Sequence, residues 1–271
     1  MEPLKHLLSY ARRALEDYDM IQPGDRVAVG VSAGKDSLTL LYALAELRRF
    51  YPVPFSLCAI TVDMGFDPPA DLSPIRAFCE KLDVPYHVVP SDIAKVVFDI
   101  RKESNPCSLC AKMRRGALHG YASEIGCNVV ALGHHFDDVV ETTLMAMLHG
   151  GQIQAMPPKL HSTNFEGMEL IRPLYLIREK DIKHWRDYNG LHFLQCACKF
   201  TDTCSSCNPD NMSKRQETKR LIESLEKTNP RIKNNIFRSI HNVNLDTLIV
   251  YKTNGEKHSF LEKYGGENNG I

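Results

Sequence analysis

The most informative segment of the chain is Arg26-Val27-Ala28-Val29-Gly30-Val31-Ser32-Ala33-Gly34-Lys35-Asp36-Ser37-Leu38-Thr39-Leu40-Leu41. The valine-rich run from Arg26 to Val31 is typical of a buried strand. From Ser37 to Phe50 the apolar residues recur with a helical period, which predicts an amphipathic helix. The turn between them consists of small residues, a lysine and an aspartate. Such a turn directs free backbone N–H groups and the positive end of a helix at one point, so it predicts an anion site.

The residues of this turn narrow the type of anion site. Lys35 adds a point charge that suits phosphate. A Walker A loop needs Gly-Lys-Ser/Thr, whereas Gly34-Lys35 is followed by Asp36, and the three spaced glycines of a Rossmann fingerprint are absent. The segment 32–37 instead resembles the PP-loop of the ATP pyrophosphatases, Ser-Gly-Gly-x-Asp-Ser, with Ala33 replacing one glycine. That resemblance implies an enzyme that cleaves ATP between the α and β phosphates and transfers AMP to a substrate oxygen.

Composition limits the class of protein. The 271 residues suit one large α/β domain or one domain with an appendage. The 33 lysines and arginines balance 33 aspartates and glutamates, so a nucleic-acid partner would have to bind a local basic patch. No apolar run reaches the ~18 residues of a membrane span, and the amphipathic N-terminus lacks a signal-peptide core. We therefore expect a cytoplasmic protein with no membrane partner.

Strands and helices alternate after the first helix. Apolar runs predict strands at 56–63, 85–89 and 127–133, and helical patterns cover 71–82, 92–99 and about 112–124. This alternation predicts an α/β fold with a doubly wound parallel sheet, whose ligands lie at the carboxyl ends of the strands. That edge would bring together the turn 32–37, Asp63 and the segment 133–138. Asp137 and Asp138 open a helix there, where they suit either a capping role or a magnesium ion.

The regular alternation ends after residue 151. A short edge segment is expected at 170–174, a helix from Arg178 to about Tyr188, and a last short strand at 191–195. Residues 211–243 read as two helices broken at Asn229-Pro230, and the tail from Gly255 is expected to be loose. The two helices carry eight basic residues against three glutamates, a local charge of +5. The basic residues are Lys214, Arg215, Lys219, Arg220, Lys227, Arg231, Lys233 and Arg238. They indicate either a solvated helix face or a surface for phosphate backbones.

Nine cysteines are many for a protein of this expected location, and the odd number argues against a full set of disulfides. Cys58, Cys79 and Cys127 lie singly in apolar segments and are expected in the core. The other six form two groups, at 107/110 and at 196/198/204/207, and this grouping indicates a metal-binding site. Four of these thiolates, drawn from both groups, could coordinate a structural zinc ion, or the second group could hold a zinc ion of its own. Alternatively, three cysteines could hold an iron–sulfur cluster with one open iron.

Several further motifs extend the resemblance beyond the loop. They are Cys107-Ser-Leu-Cys110 with Met113-Arg-Arg-Gly116, Leu132-Gly-His-His135 with Asp137-Asp138, Met156-Pro-Pro-Lys-Leu160, and Ile171-Arg-Pro-Leu174 with Arg178-Glu-Lys-Asp-Ile182. Together they resemble the tRNA 2-thiocytidine biosynthesis family over roughly residues 26–240. The resemblance implies an ATP-dependent tRNA sulfurtransferase that adenylates the C2 oxygen of a cytidine and replaces it with sulfur. It also implies a [4Fe-4S] cluster on three cysteines, with sulfide carried on the free iron.

The resemblance also implies roles for particular residues. Cys107 and Cys110 would be two cluster ligands and Cys198 the third, with Cys196 or Cys204 as substitutes. Cys204 and Cys207 exceed what three ligands require, and their role stays open. Lys35, Asp36, Arg114 and Asp138 are the expected catalytic residues, with Mg²⁺ on Asp36 or Asp138. ATP is expected to contact Val29, Gly30, Val31, Ser32, Ala33, Gly34, Lys35, Asp36, Ser37, Val62, Asp63, Gly133 and Asp138. Its adenine is expected near the backbone of residues 29–31 and 61–63.

Domain organisation and partners complete the expectations. An N-terminal helix is expected at 1–25, the PP-loop ATP pyrophosphatase domain at 26–200, and a basic helical region that binds tRNA at 201–271. The target base must be unstacked, which suits an anticodon-loop nucleotide. The resemblance implies a homodimer and a sulfur donor such as a cysteine desulfurase. Two alternatives stay open: a PP-loop tRNA-modifying enzyme acting on another acceptor with structural zinc, and a non-enzymatic ATP- or RNA-binding module.

Overall fold

The computed structural model describes residues 3–101, 106–190 and 213–264, of which Pro3, Cys107, Lys263 and Tyr264 are described by their backbone only. The strands are β1 (Arg26–Gly30), β2 (Ser56–Asp63), β3 (Tyr86–Pro90), β4 (Val129–Ala131), β5 (Lys159–His161), β6 (Glu169–Ile171), β7 (Val250–Thr253) and β8 (Glu256–Ser259). The α-helices are α1 (Pro3–Asp17), α2 (Lys35–Leu47), α3 (Ser73–Lys81), α4 (Pro106–Glu124), α5 (Phe136–Gly150), α6 (Glu179–Tyr188), α7 (Lys214–Thr228) and α8 (Ile232–Ser239). A π-helical segment, Lys95–Arg101, precedes α4.

Six strands form the main sheet in the order β3-β2-β1-β4-β6-β5. All neighbouring pairs are parallel except β5 and β6, which are antiparallel. β1 pairs with β2 on one side and with β4 on the other, so the strand order reverses beside β1. This arrangement confirms the predicted doubly wound sheet. A crevice at such a reversal is the usual ligand site of open α/β sheets.

The two faces of the sheet bury different sets of side chains. Val27 and Val29 face a core shared with α1, α2, α3 and α6, in which Trp185 is 1% exposed. Ala28, between them in β1, faces the opposite core, where α4 contributes Leu118. Alternate residues of a strand point to opposite faces, so a run that is apolar throughout is needed when both faces are covered. Cys58, Cys79 and Cys127 are buried, as predicted.

Two sequence expectations differ from the structure. The segment 170–174 was expected at the sheet edge, but β6 pairs with both β4 and β5, and β5 is the edge strand. The tail from Gly255 was expected to be loose, but its described part, up to Tyr264, contains strand β8, which pairs with β7, and a 3-10 turn, Phe260–Tyr264. Both differences arise because short strands of three or four residues carry too little periodicity to be recognised. The predicted strand at 191–195 lies outside the described residues.

The C-terminal helices pack beside the main sheet rather than apart from it. α7 ends at Thr228 and α8 begins at Ile232, so the predicted break at Asn229-Pro230 is confirmed. Both helices contact α5, and Ile222 of α7 is buried against Phe136 and Val140. None of the helices in the described residues is long and apolar enough to cross a membrane.

Candidate active site

The turn between β1 and α2 is closed by its two serines. Ser32 N–H donates to Ser37 Oγ at 3.0 Å, and Ser37 Oγ donates to Ser32 O at 2.7 Å. Ser37 Oγ also lies 3.0 Å from Gly34 O. Gly34 is the N-cap of α2, and none of the described side chains accepts a hydrogen bond from the first N–H groups of this helix. An uncapped helix N-terminus within a tight turn is a site for an anion such as phosphate.

Lys35 and Asp36 begin α2 and face the same crevice. Lys35 Nζ lies 3.0 Å from Asp36 Oδ2 and 3.3 Å from Glu179 Oε1, at the start of α6. Asp36 Oδ1 is buried and has no hydrogen-bond partner among the described residues. His135 Nε2 lies 3.8 Å from it, beyond hydrogen-bond distance. Because an unpaired buried carboxylate oxygen is costly, Asp36 is suited to receive a cation.

Gly133 allows the end of β4 to approach the PP-loop. A Cβ added at Gly133 would lie 2.9 Å from the carbonyl carbon of Asp36 and 3.0 Å from Ser37 N. Both atoms belong to the backbone, so no side chain can rotate away to make room. The two predicted motif segments, 32–37 and 133–138, therefore meet at one point of the sheet edge.

Asp137 and Asp138 open α5 as predicted, and the structure gives each a different set of partners. Asp138 and His135 form a capping box, with His135 N–H donating to Asp138 Oδ2 at 2.9 Å. Arg215 Nη2 lies 2.9 Å from Asp138 Oδ1. Asp137 accepts from Glu179 N–H at 2.8 Å and pairs with Lys233 Nζ at 3.1 Å. Asp137 therefore joins α5 to α6 and α8, whereas Asp138 faces the crevice.

Glu179 links the PP-loop to α7. Its carboxylate lies 3.3 Å from Lys35 Nζ, 3.1 Å from Lys183 Nζ and 3.0 Å from Lys219 Nζ. Burial alone would raise the pKa of Glu179, but the hydrogen bonds from Lys219 and Lys183 outweigh it and lower the pKa to about 2. The carboxylate is therefore ionised at any physiological pH, and it holds Lys35 at the mouth of the loop.

These side chains enclose a pocket of about 260 Å³. It is lined by residues of the PP-loop, α5, α6 and α7, namely Lys35, Asp36, His135, Asp138, Glu141, Glu179, Ser213, Arg215, Gln216 and Lys219. Three of the ten are cations and four are carboxylates. A polar, charged crevice of this size beside a phosphate loop can hold the phosphate chain of a nucleotide.

The first cysteine pair lies at the same edge of the sheet. α4 leads into the parallel strand β4, so its N-terminus lies at the carboxyl ends of the strands. Leu118 packs against Gly30 at the end of β1. Cys110 precedes Leu118 by eight helical residues, so it projects ~12 Å beyond that contact, past the strand ends. The backbone of Cys107 lies in the same first turn of α4.

The second cysteine group and the side chain of Cys107 lie outside the described residues. This second group consists of Cys196, Cys198, Cys204 and Cys207. Within the part of the chain that the structure describes, no group of three or more His, Cys, Asp or Glu side chains could hold a metal ion. Arg114, expected to be catalytic, is exposed on α4.

The residues expected to contact adenine lie along two neighbouring strand ends. Val29 and Gly30 end the central strand β1, and Val31 N–H donates to Ile60 O at 2.8 Å. Val62 and Asp63 end β2, and Asp63 Oδ1 accepts from Gly65 N–H at 3.1 Å. Their positions are compatible with a nucleotide across the strand ends, and the adenine contacts stay a prediction.

The structure adds site residues to which the sequence assigned no such role. Glu179 and His135 were recognised only as parts of motifs, while Arg215 and Lys219 were counted among the basic residues of the C-terminal helices. A helix start at Glu179 was predictable, but its distance from Lys35 in the sequence concealed their contact. His134 is half-buried at this edge, and desolvation together with the charge of Arg172 lowers its pKa to about 4, so its ring is neutral near pH 7.

The basic C-terminal helices use part of their charge inside the protein. Arg215 pairs with Asp138 and Glu141, Lys219 with Glu179, and Lys233 with Asp137. These three cations neutralise carboxylates of α5 and α6, so they are not part of a purely external surface. The other five basic residues of this region are exposed, namely Lys214, Arg220, Lys227, Arg231 and Arg238.

The fold and the site together define a class, an α/β protein with an ATP-pyrophosphatase type of phosphate loop. A sequence profile of the PP-loop domain family matches residues 6–199, which is most of the chain. The U34-tRNA thiolase NcsA from Methanococcus maripaludis, solved with its [4Fe-4S] cluster, has a similar fold with a TM-score of 0.68. The two chains are 26% identical, and the match covers 88% of this chain and 78% of that one.

Two curated relatives are more similar in sequence. The tRNA-cytidine(32) 2-sulfurtransferase of Coxiella burnetii (strain Dugway 5J108-111) is 37% identical over 253 residues, covering 92% of this chain and 93% of the relative. The enzyme of the same name from Geobacter sulfurreducens is 36% identical over 240 residues, covering 88% and 90%. The chain belongs to the tRNA-cytidine 2-sulfurtransferase family of PP-loop proteins.

Proposed function

We propose that this protein replaces the C2 oxygen of a tRNA cytidine with sulfur, using ATP to activate that oxygen. In the first step the oxygen attacks the α phosphate, a P–O bond forms, and pyrophosphate leaves. In the second step a sulfide sulfur attacks C2, and AMP leaves with the former oxygen. The names of the relatives suggest cytidine 32, which lies in the anticodon loop.

One observation supports this function above the others. The PP-loop and the first turn of α4, which carries Cys107 and Cys110, lie at the same edge of the sheet. A base bound between them could be adenylated and then receive sulfur without leaving the crevice. A simple ATP-binding module would not need cysteines at that position.

The residues of the PP-loop would bind and neutralise the leaving pyrophosphate. Backbone N–H groups at the start of α2 and the hydroxyl of Ser32 would donate to its oxygens. Lys35 would provide a point charge once its contacts to Asp36 and Glu179 loosen, and charge of this kind stabilises a leaving group. Asp36 has the buried, unpaired oxygen Oδ1, which suits Mg²⁺ together with phosphate oxygens. Asp138 is the second candidate ligand, although Arg215 and His135 already contact its two oxygens.

Cys107, Cys110 and one later cysteine, with Cys198 the first choice, would hold a [4Fe-4S] cluster. The N-terminus of α4 suits this donor set, because the positive end of a helix favours thiolates. When bound, the cluster would supply an open iron that carries the sulfide. Arg114, one turn further along α4, would contact the tRNA backbone or the charge that develops at the base.

The macromolecular partners follow from the same proposal. A tRNA would bind with its unstacked base in the crevice, its backbone lying against exposed basic residues of the C-terminal helices. A cysteine desulfurase is the class of sulfur donor proposed here. Two copies of the chain would form the working enzyme.

The experiment compares Cys107→Ala with Cys79→Ala, a control at a buried cysteine on α3. We expect Cys107→Ala to retain ATP affinity within about twofold and to lose 2-thiocytidine, measured by mass spectrometry of tRNA nucleosides after anaerobic reconstitution. The control should keep both. Retained thiolation in Cys107→Ala would refute the role of the cluster, and stoichiometric zinc without iron would favour a different acceptor chemistry.

A further inference from the structure

The pocket beside the PP-loop has a wall that lies outside the PP-loop motifs. Helix α7 and its N-cap contribute Ser213, Arg215, Gln216 and Lys219 to the same pocket that Lys35 and Asp36 line. In sequence, α7 is far from the loop, and it reaches the pocket because it packs on α5. A cation on α7 can therefore act on a ligand held by the PP-loop.

Arg215 is oriented by two carboxylates at the rim of this pocket. Its Nη2 lies 2.9 Å from Asp138 Oδ1, and its Nε lies 2.9 Å from Glu141 Oε2. The guanidinium side chain remains 44% exposed, although Glu141 is only 10% exposed. Guanidinium carries five N–H donors in a fixed plane, so these contacts leave further donors for a phosphate.

The charges of the pocket are nearly balanced by the protein itself. Among the described residues that line it, three cations face four carboxylates, and these seven side chains sum to a charge of −1. The cations are Lys35, Arg215 and Lys219, and the carboxylates are Asp36, Asp138, Glu141 and Glu179. A divalent cation on Asp36 would change this sum to +1. The pocket would then bind a polyanion only when that cation is bound as well. Arg215 would be the arginine of the described lining residues that contacts the polyanion.

We propose that Arg215 binds the pyrophosphate part of ATP from the side opposite the PP-loop. This inference rests on the proposed adenylation and extends the phosphate site to the C-terminal helices. α7 would thereby connect nucleotide binding to the region proposed to contact tRNA. The competing interpretation is that Arg215 only docks α7 onto α5.

The test measures binding of Mg²⁺–pyrophosphate, Mg²⁺–ATP and AMP to the full chain by calorimetry. Arg215→Ala should lower the affinity for pyrophosphate and for ATP by about tenfold or more, as expected when a charge-assisted hydrogen bond is removed. The affinity for AMP should stay within twofold of the wild type. Arg215→Lys should recover only part of the loss. Lys180→Ala removes an exposed cation of α6, and Lys233→Met removes a docking cation outside this pocket; both should bind pyrophosphate like the wild type.

The outcomes separate the two interpretations. Pyrophosphate affinity within twofold of wild type in Arg215→Ala would overturn the proposal. Equal losses in Arg215→Ala and Lys233→Met would also overturn it, because helix docking alone would then explain them. A wild-type protein that binds pyrophosphate but forms no AMP with any tRNA would refute the proposed function and leave this assignment of Arg215 standing.

Discussion

At the scale of single residues, the site depends on close approaches that few side chains would permit. Gly133 is the clearest case, because its Cα faces the backbone of Asp36 and Ser37. Asp36 is another, since one of its oxygens is buried without a hydrogen-bond partner in the described part of the chain. Such unsatisfied groups concentrate where a ligand completes the structure.

Gly133→Ala tests the close approach. The added Cβ would meet backbone 2.9 Å away, so we expect the PP-loop to shift, ATP to bind less tightly, and the free energy of unfolding to fall by about 1–3 kcal/mol, as in overpacked sites. Gly150→Ala is the matched control, because none of the described atoms lies within 4 Å of its added Cβ. Urea denaturation and calorimetry with ATP would measure both quantities. Wild-type affinity and stability in Gly133→Ala would contradict the geometry.

At the scale of secondary-structure elements, charged contacts hold α2, α6 and α7 around the pocket. Glu179 begins α6 and pairs with Lys35 of α2 and Lys219 of α7. Its lowered pKa shows that the ionised form is favoured in the folded protein. The pKa of Glu179 is lower in the folded protein than in the unfolded chain. The ionised carboxylate therefore stabilises the fold at any pH above its unfolded pKa, and this stabilisation is lost as the pH falls toward about 2.

Glu179→Gln should remove this pH dependence. We expect the mutant to be less stable than the wild type by about 3 kcal/mol near pH 7, an order-of-magnitude conversion of the pKa shift. The difference should shrink as the pH is lowered from 5 toward 3, where Glu179 of the unfolded chain becomes protonated. Glu217→Gln, at an exposed position of α7, is the control. A difference that stays constant from pH 7 to pH 3 would argue against this assignment.

At the scale of the whole molecule, the basic residues of the C-terminal helices form two sets. Three of them are paired with carboxylates of α5 and α6, and the other five are exposed, of which Lys214 pairs with Glu217 of its own helix. A region that is basic in sequence therefore has a smaller external charge than the count of lysines and arginines indicates. The tRNA surface proposed here consists of these five exposed residues together with Arg114, which is exposed on α4.

Arg231→Ala tests this surface. Removing one cation that binds a phosphate should reduce the slope of log affinity against log salt by about 0.7–0.9, and weaken tRNA binding at low salt. Arg13→Ala removes an exposed cation of α1 that pairs with Asp17, and should leave the slope unchanged. The slope would be measured by filter binding or fluorescence anisotropy between about 50 and 200 mM salt, the range in which electrostatic affinity falls steeply. An unchanged slope in Arg231→Ala would exclude this residue from the tRNA surface.

Local chemistry accounts for what could be predicted from the sequence. A valine run ending in Ser32-Ala-Gly-Lys-Asp-Ser37 predicts a strand, a phosphate turn and a helix, because every residue involved is close in the chain. The alternation of strands and helices then predicts the parallel sheet and the edge at which Gly133 and Asp138 meet the loop. The cysteine spacing and motifs indicated the family, which the similarity to curated relatives confirmed.

Contacts between distant segments were decided only by the tertiary structure. The pairing of Lys35 with Glu179, and of Asp138 with Arg215, joins residues 144 and 77 positions apart, and no periodicity records such a distance. The same is true of the order of β5 and β6, which depends on three-residue strands. Charge and hydrophobic pattern specify which groups need partners, whereas packing of the helices on the sheet selects the partner each group receives.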